Sequence, residues 1–509
     1  MPSPYWSSPT FGTREIVTDG SHNFLSFPLT GGARSWTAPA DDAARGHGNV
    51  ALSSRYGAVA VASSGRAVSL FRQDDLLQPD VNADTDTELA PALPGASQAV
   101  WSADPGFAGP YVLGVSDGLR PAVAVANRNT GTIVVLDGAN GGAVVAGPYS
   151  AGGSVRQLAW HNETLAVLLS APGRCLHMLN GRDLSLLAKI ENVACLSWHP
   201  DGARPEFVAA LAQTSELVYY EVASHGAALQ LKDRRPAPDP TDDNITEEDY
   251  DGVTFLGSVV GHLDWLDENT IATILVLQTD EEDDEATTSE LFMLSKSGGT
   301  SWSQHASWQP VRDDGEPLFP FEVDNAMHFS SVFVDHWRVL FVASACRPEL
   351  KLVGYHPDPN GDGSGVGEWQ AWMLNGEPLA LEVEGIDPGG ISALGITFSS
   401  SLTCSMVEDI DEDDEDAANQ ERPARDVSFP CVLYAVTENL DEDEDEEDRP
   451  DVRKVVMVSH FLCDSREALG PGLPTLPLMT RAMSLSSSGL AASASASASA
   501  SASASASAS

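Results

Sequence analysis

The chain has 509 residues, with 74 Asp and Glu against 28 Lys and Arg, a formal charge of −46. That charge excludes a broad nucleic-acid surface, because nothing could neutralise phosphates over a wide area, and it argues against docking on anionic lipid. A hydrophobic content of 42% supplies a core, so the chain is not disordered throughout.

In chain order the predicted elements are short β-rich runs separated by turns, and helical periodicity is nearly absent. A short strand near Phe24–Leu29 comes first. Asn49–Arg72 (NVALSSRYGAVAVASSGRAVSLFR) reads as three strands, and Ser97–Leu136 supplies a second group. From Ser154 a pattern begins: Val155, Leu158, Trp160, His161. It returns 38 residues later as Val193, Leu196, Trp198, His199, and a third time as Val259, Leu263, Trp265. Each copy is followed by a polar turn, an apolar strand and another strand. Met327–Tyr355 and Gly390–Leu462 complete the series. A period near 40 with this grammar marks a β-propeller blade. One blade cannot bury both of its faces alone, whereas radial packing against its neighbours does. The sequence therefore predicts an all-β, seven-bladed WD40-like β-propeller over residues 15–463, with six or eight blades as the alternatives and the N-terminal strand closing the ring. Residues 464–509 run into alternating Ser and Ala and are expected to form a disordered, low-complexity tail.

Motifs for chemistry are few. Gly114-Val115-Ser116-Asp117-Gly118 matches G-x-S-x-G, but a nucleophile elbow needs a helix after it. Leu119, Arg120, Pro121 and a β-branched run follow instead, so a hairpin turn is expected. Asp358–Gly363 resembles the start of a calcium loop, yet the twelfth position is Trp369 where a bidentate Glu belongs. There is no P-loop, dinucleotide fingerprint or HExxH. His161 and His199 follow the repeating Trp and read as structural positions. Six cysteines, at 175, 195, 346, 404, 431 and 463, form no C-x-x-C pair or zinc-spaced cluster and read as reduced core thiols. Residues 1–18 lack the pattern of a secretory signal, and the longest apolar stretch, near Ile271–Leu277, is far short of a membrane span. An intracellular, soluble, non-enzymatic protein with no cofactor and no metal is expected. The acceptor patterns at Asn162 and Asn244 then read as accidental.

The acid is concentrated. Asp239–Asp251 holds 7 acidic residues, Asp280–Glu285 holds 6, Glu408–Asp416 holds 8 and Glu438–Asp451 holds 10. With blade strands lettered A to D from the centre outward, A–B and C–D connections lie on one rim, and B–C and D–A connections on the other. The sequence assigns Asp239–Asp251 to a D–A connection and Asp280–Glu285 to a B–C connection. Glu408–Asp416 is assigned to a B–C connection after a strand near Leu402–Met406, and Glu438–Asp451 to a C–D connection. Three tracts would then share one rim, with the fourth opposite. Such a rim suits a basic partner and speeds its encounter, although a charge run is as often a solvated loop with no partner. Asp243, Glu247, Asp249, Glu281, Asp283 and Asp284 are the candidate partner-binding residues on this topology.

Four stretches also carry a resemblance. Asn49–Ser64 (NVALSSRYGAVAVASS), Val193–Glu221 (VACLSWHPDG…LVYYE), Val259–Leu294 (VVGHLDWLDENTIATILVL…ELFML) and His328–Tyr355 (HFSSVFVDHWRVLFVASACRPELKLVGY) occur in order. Together they resemble the first, fourth, fifth and sixth blades of the N-terminal propeller of the large cytoplasmic-filament phenylalanine-glycine nucleoporin. The resemblance spans roughly residues 15–463. It implies a docking module that binds the first RecA-like lobe of a DEAD-box mRNA-export helicase through charged loops and competes with RNA there. It also implies other nucleoporins as partners and a place at the cytoplasmic face of the nuclear pore complex, with no direct nucleic-acid binding and no membrane insertion. Unlike that family, this chain has one Phe-Gly dipeptide, Phe11-Gly12, and no coiled coil. The alternative is a generic WD-repeat scaffold or an acidic chaperone for histones and other basic proteins.

Overall fold

Strands buried along their whole length recur down the chain: Ala58–Ala62, Tyr111–Val115 and Val339–Ser344 bury every residue. A strand dry on both faces must be sandwiched between layers, so each sheet needs a neighbour on either side. The computed structural model describes residues 24–28, 34–39 and most of 50–464. The main segments outside the described residues are 73–98, 239–254, 280–286, 323–327, 357–367, 373–378, 381–387, 398–402, 407–424, 440–451 and everything after 464.

No described residue is helical. The chain opens with β1 (Phe24–Pro28) and β2 (Arg34–Pro39). A first sheet follows in the order β3 (Val50–Ser53), β4 (Ala58–Ala62), β5 (Val68–Arg72), β6 (Trp101–Ala103). The second comprises β7 (Tyr111–Val115), β8 (Ala122–Asn127), β9 (Thr132–Asp137) and β10 (Ala143–Ser150). The third comprises β11 (Val155–His161), β12 (Thr164–Leu169), β13 (Cys175–Asn180) and β14 (Leu186–Glu191). The fourth comprises β15 (Val193–Trp198), β16 (Glu206–Leu211), β17 (Glu216–Val222) and β18 (Leu229–Pro236). The fifth contains β19 (Phe255–Asp267), β20 (Thr270–Thr279), β21 (Thr287–Lys296) and β22 (Ala306–Asp313), extended by β23 (Glu316–Pro317) and β24 (Phe319–Glu322). The sixth contains β25 (Phe329–Val334), β26 (Val339–Ser344), β27 (Glu349–His356), β28 (Glu368–Trp372) and β29 (Leu379–Ala380). The last begins with β30 (Pro388–Thr397); a separate hairpin, β31 (Thr403–Met406) and β32 (Arg425–Ser428), precedes β33 (Cys431–Asn439) and β34 (Val452–Asp464). The order there is β30-β33-β34-β1, with β2 also on β34, so the N-terminal strands complete the final sheet.

The first strand of each sheet is innermost, and consecutive inner strands touch. Gly114 on β7 lies so near β11 that a Cβ there would stand 2.9 Å from that of Leu158. Arg156 on β11 donates to the Ala194 carbonyl on β15 (3.3 Å). Ser197 and Asp264 join β15 to β19, His262 and Ser331 join β19 to β25, and Leu394 N donates to Ser330 on β25. A Cβ at Gly395 on β30 would collide with Leu52 on β3, so a glycine lets the last and first sheets close. The result is a β-propeller. Its apolar clusters lie between sheets: Val112 and Ala124 of the second meet Leu158 and Val167 of the third, and Ala166 and Leu176 of the third meet Leu196 and Phe207 of the fourth.

The Trp-His repeat is explained by these interfaces. His161 lies on Trp198 of the following sheet (centroids 4.7 Å apart, 20° between planes), and His199 meets Trp265 edge-on at 4.6 Å. The Trp160 indole donates to the Gly114 carbonyl of the preceding sheet (3.0 Å). Burial holds both imidazoles below their usual pKa, which keeps them neutral for stacking.

Two sequence assignments change. Trp101–Ala103 is the outer strand of the first sheet, so the second begins at Tyr111. The strand near Leu402–Met406 pairs only with β32 among the described residues, and the second strand of the last sheet is Cys431–Asn439. Both errors arose where a long polar insertion breaks the near-40 period.

Candidate partner-docking rim

Asp243, Glu247 and Asp249 fall in 239–254, and Glu281, Asp283 and Asp284 in 280–286; all six lie outside the described residues. The strands that carry these segments are described. Residues 239–254 join β18, the outer strand of the fourth sheet, to β19, the inner strand of the fifth. Residues 280–286 join β20 to β21, the second and third strands of the fifth sheet. Both assignments are those expected.

The two segments also share a root. Phe255, which follows the first, is the direct cross-strand partner of Thr279, which precedes the second. Opposed residues of antiparallel strands stand about 4.5–5.5 Å apart at Cα. Ala237 N donates to the Ser215 carbonyl (2.7 Å), and Ser215 Oγ donates to the Ser258 carbonyl (3.4 Å), so one turn of the fourth sheet braces strands on either side of residues 239–254. Thirteen acidic residues thus leave from neighbouring points on one rim.

The other two tracts exchange rims. Glu408–Asp416 lies between β31 and β32, inside the connection from β30 to β33, which is an A–B connection. Glu438–Asp451 spans the end of β33 and the connection to β34, which is B–C. The rim fed by B–C and D–A connections therefore receives the tracts at 239–251, 280–285 and 438–451, with the tract at 408–416 arising from the opposite side. Sequence reasoning also missed Glu382, Glu384 and Asp387. They enter β30 at Pro388, whose partner is Asn439, the residue before 440–451. Three acids in seven residues are too few to register as a charge run, and only the pairing places them beside one.

A polar cluster sits among the inner strands near the A–B end. Ser331 Oγ is 2.7 Å from His262 Nε2 and 2.9 Å from Asp264 Oδ2; Ser197 Oγ is 3.3 Å from Asp264 Oδ1 and accepts from Trp265 N (2.9 Å). Both ionisable side chains keep a little accessible surface but lie deep between strands. Burial pushes the Asp264 carboxyl up to about 6 against the pull of its serine and backbone hydrogen bonds. Burial, aided by the Arg156 charge, lowers His262 to about 4. In a nucleophile triad the carboxylate holds the imidazole and the imidazole takes the serine proton. Here the carboxylate accepts from the serine hydroxyl, so the imidazole Nε2 is left to donate to Ser331. That order of contacts makes a clasp between the fourth, fifth and sixth sheets.

Ser116 is buried, and its Oγ accepts from Gly118 N (3.0 Å) in a connection between antiparallel strands. Cys175 and Cys195 are free, buried thiols, and burial pushes Cys195 up to about 12. Among the described residues no three His, Cys, Asp or Glu gather to hold a metal, and no helix is long and apolar enough to cross a membrane. The calcium-like loop at 358–363 lies outside the described residues.

No family model matches the chain, and no curated protein matches it in sequence. Solved structures do match in fold. The crystal structure of the N-terminal domain of Nup159 superposes with a TM-score of 0.50 at 14% identity, covering 87% of this chain and 96% of that one. The chain has the propeller fold of the Nup159 N-terminal domain. A chain from the Saccharomyces cerevisiae complex of a Dbp5 variant bound to Nup159, a Gle1 variant, IP6 and ADP gives a TM-score of 0.50 at 13% identity, covering 90% and 97%. At such identity the likeness concerns fold alone.

Proposed function

We propose that this propeller is a non-enzymatic docking module of the nucleoporin type, which receives a basic surface of a DEAD-box mRNA-export helicase on its acidic rim. Its place is the nuclear pore complex, at the cytoplasmic face, in company with other nucleoporins, where it assists remodelling of messenger ribonucleoprotein. The observation that carries this reading is the shared root of two acidic tracts at Phe255 and Thr279. It roots two segments that together carry thirteen carboxylates at one point of the rim, and such charge attracts a cationic partner over about a Debye length, ~8 Å at physiological salt. Support for the class of partner comes from the fold shared with a nucleoporin domain, and from a matching complex in which Nup159 is bound to Dbp5.

The test is binding of the helicase to the full chain by calorimetry across a salt series. Affinity should fall steeply with salt and fall when RNA occupies the helicase. Reversal of Asp280–Glu285 to Lys should weaken binding at least about tenfold and flatten the salt slope. Unchanged affinity in that variant would remove the rim from the account. Equal affinity for core histones would replace the helicase with basic proteins in general.

A further inference from the structure

The A–B and C–D rim carries a feature of its own. Between the second and third sheets lies a cavity of about 190 Å³, lined by Pro121, Val145 and Trp160 with Arg120, Glu163 and Arg182 among its polar residues. A cavity of this volume is roomy enough to admit an aliphatic side chain. Val145 is 52% exposed and Val144 beside it 48%, which makes the strand next to the cavity unusually apolar for an outer strand.

The charges around it are unequal. Two guanidiniums on this rim find a carboxylate at a neighbouring sheet: Arg204 reaches Glu268, and Arg338 reaches Asp267. Arg120 and Glu163 hold the corresponding A–B positions in the second and third sheets. Glu163, however, is taken by Arg182 of its own sheet. The nearby Asp137 carboxylate is committed to its own turn, accepting from Ala139 N and Asn140 Nδ2 at 2.8 Å each. Arg120 is exposed and has no ion-pair partner among the described residues.

We infer that this groove is a docking site for a linear segment of a partner protein in which an aliphatic side chain adjoins an Asp or Glu. The aliphatic group enters beside Trp160 and Val145, and the carboxylate meets the exposed Arg120 guanidinium, a charge-assisted and bidentate-capable contact. The site lies on the rim away from the shared root of the two acidic tracts, so it neither needs nor excludes a basic partner there. The module would then hold two proteins of opposite charge preference at once.

The test uses the full chain and fluorescein-labelled peptides capped at both ends, with a Glu-Leu pair between Gly-Ser flanks. Glu-Ser, Gln-Leu and Lys-Leu peptides, an uncapped peptide ending in Leu, and inorganic phosphate serve as comparisons. Saturable anisotropy is expected with Glu-Leu. Arg120→Glu and Val145→Ser should each weaken it about tenfold, while Leu231→Ser, on an exposed strand elsewhere, leaves it unchanged. The Gln-Leu peptide should bind more weakly to the native chain and lose little more with Arg120→Gln, because the missing carboxylate and the missing guanidinium are one interaction. Thermal unfolding of each variant checks that the fold is kept. The proposal is overturned if the Glu-Leu peptide does not saturate, or if Arg120→Glu binds it as well as the native chain. It is also overturned if phosphate or the free Leu carboxylate binds at Arg120 in place of the internal acidic pair.

Discussion

The two rims of the disc are made in different ways. On the A–B and C–D rim, the short A–B turns of the first six sheets are tied across the gaps between sheets, although the long connections from Arg72 to Trp101 and from Thr397 to Cys431 also open on this side. Tyr56 OH donates to the Gly118 carbonyl, and Asn162 Nδ2 donates to the Gly202 carbonyl (2.6 Å). Arg204 and Arg338 cross to the fifth sheet, and the stacked His-Trp pairs run just beneath. The other rim carries long connections rich in like charge at the fifth and last sheets. Cross-linked turns set the spacing of the sheets, and they use side chains to do so. Runs of carboxylate cannot contribute to packing, because desolvating them unpaired is too costly. The short A–B turns are left to hold the ring, and the long connections are free to vary in composition.

Substitutions on the two rims can break or sharpen that contrast. The largest stability effect is expected at Trp265, which is buried against His199, Tyr219 and Trp302. Trp265→Ala should cost about 3–5 kcal/mol in urea unfolding. Replacing Asp280–Glu285 by Ser and Asn should change stability by no more than about 0.5 kcal/mol. Similar losses from both would dissolve the distinction.

A smaller effect concerns pH. Asp264 has a folded pKa of about 6 against its ordinary value of 3.8, so its contribution is present below 3.8 and lost as pH rises through 6. His262 has a folded pKa of about 4 against 6.5, so its contribution is present above 6.5 and lost as pH falls through 4. The two slopes oppose each other between roughly pH 4 and 6, so the joint contribution of this pair should be nearly flat there. Asp264→Asn should expose a rise in stability with pH across that window, and His262→Gln a fall, each on the order of 2 kcal/mol. Identical profiles for both variants would remove the clasp from the account of the inner strands.

The smallest effect is expected from the exposed ion pairs. Arg204→Ala should cost under about 1 kcal/mol, and less in high salt. A larger, salt-independent loss would mean that the Arg204 side chain holds the fourth and fifth sheets together by packing.

Much of this fold is written locally. The Trp160, Trp198 and Trp265 copies mark the ends of inner strands because each sheet repeats the same task of covering its neighbour, so the spacing survives in the sequence. Where an insertion interrupts that spacing, the signal fails. The segment 73–98 hid the outer strand at Trp101, and 398–430 hid the identity of the strand at Cys431. The rim assignments of Glu408–Asp416 and Glu438–Asp451 failed for the same reason, since strand parity decides the rim and one extra hairpin shifts the count. Arg120 and the Ser331 clasp were not legible at all. Trp160 and Glu163 beside Arg120, and His262 and Asp264 beside Ser331, are 40 or more residues away on neighbouring sheets, and no local pattern announces them.

The final sheet has one more consequence. Phe24 and Asp464 stand opposite each other where β1 meets β34, at the end of the third strand, which belongs to the cross-linked rim. Whatever precedes residue 24 or follows residue 464 therefore leaves from the side away from the paired acidic segments of the fifth sheet. A tether through either end would hold the disc like a plate on a stalk, with the fifth sheet's acidic hairpin root turned away from the mooring.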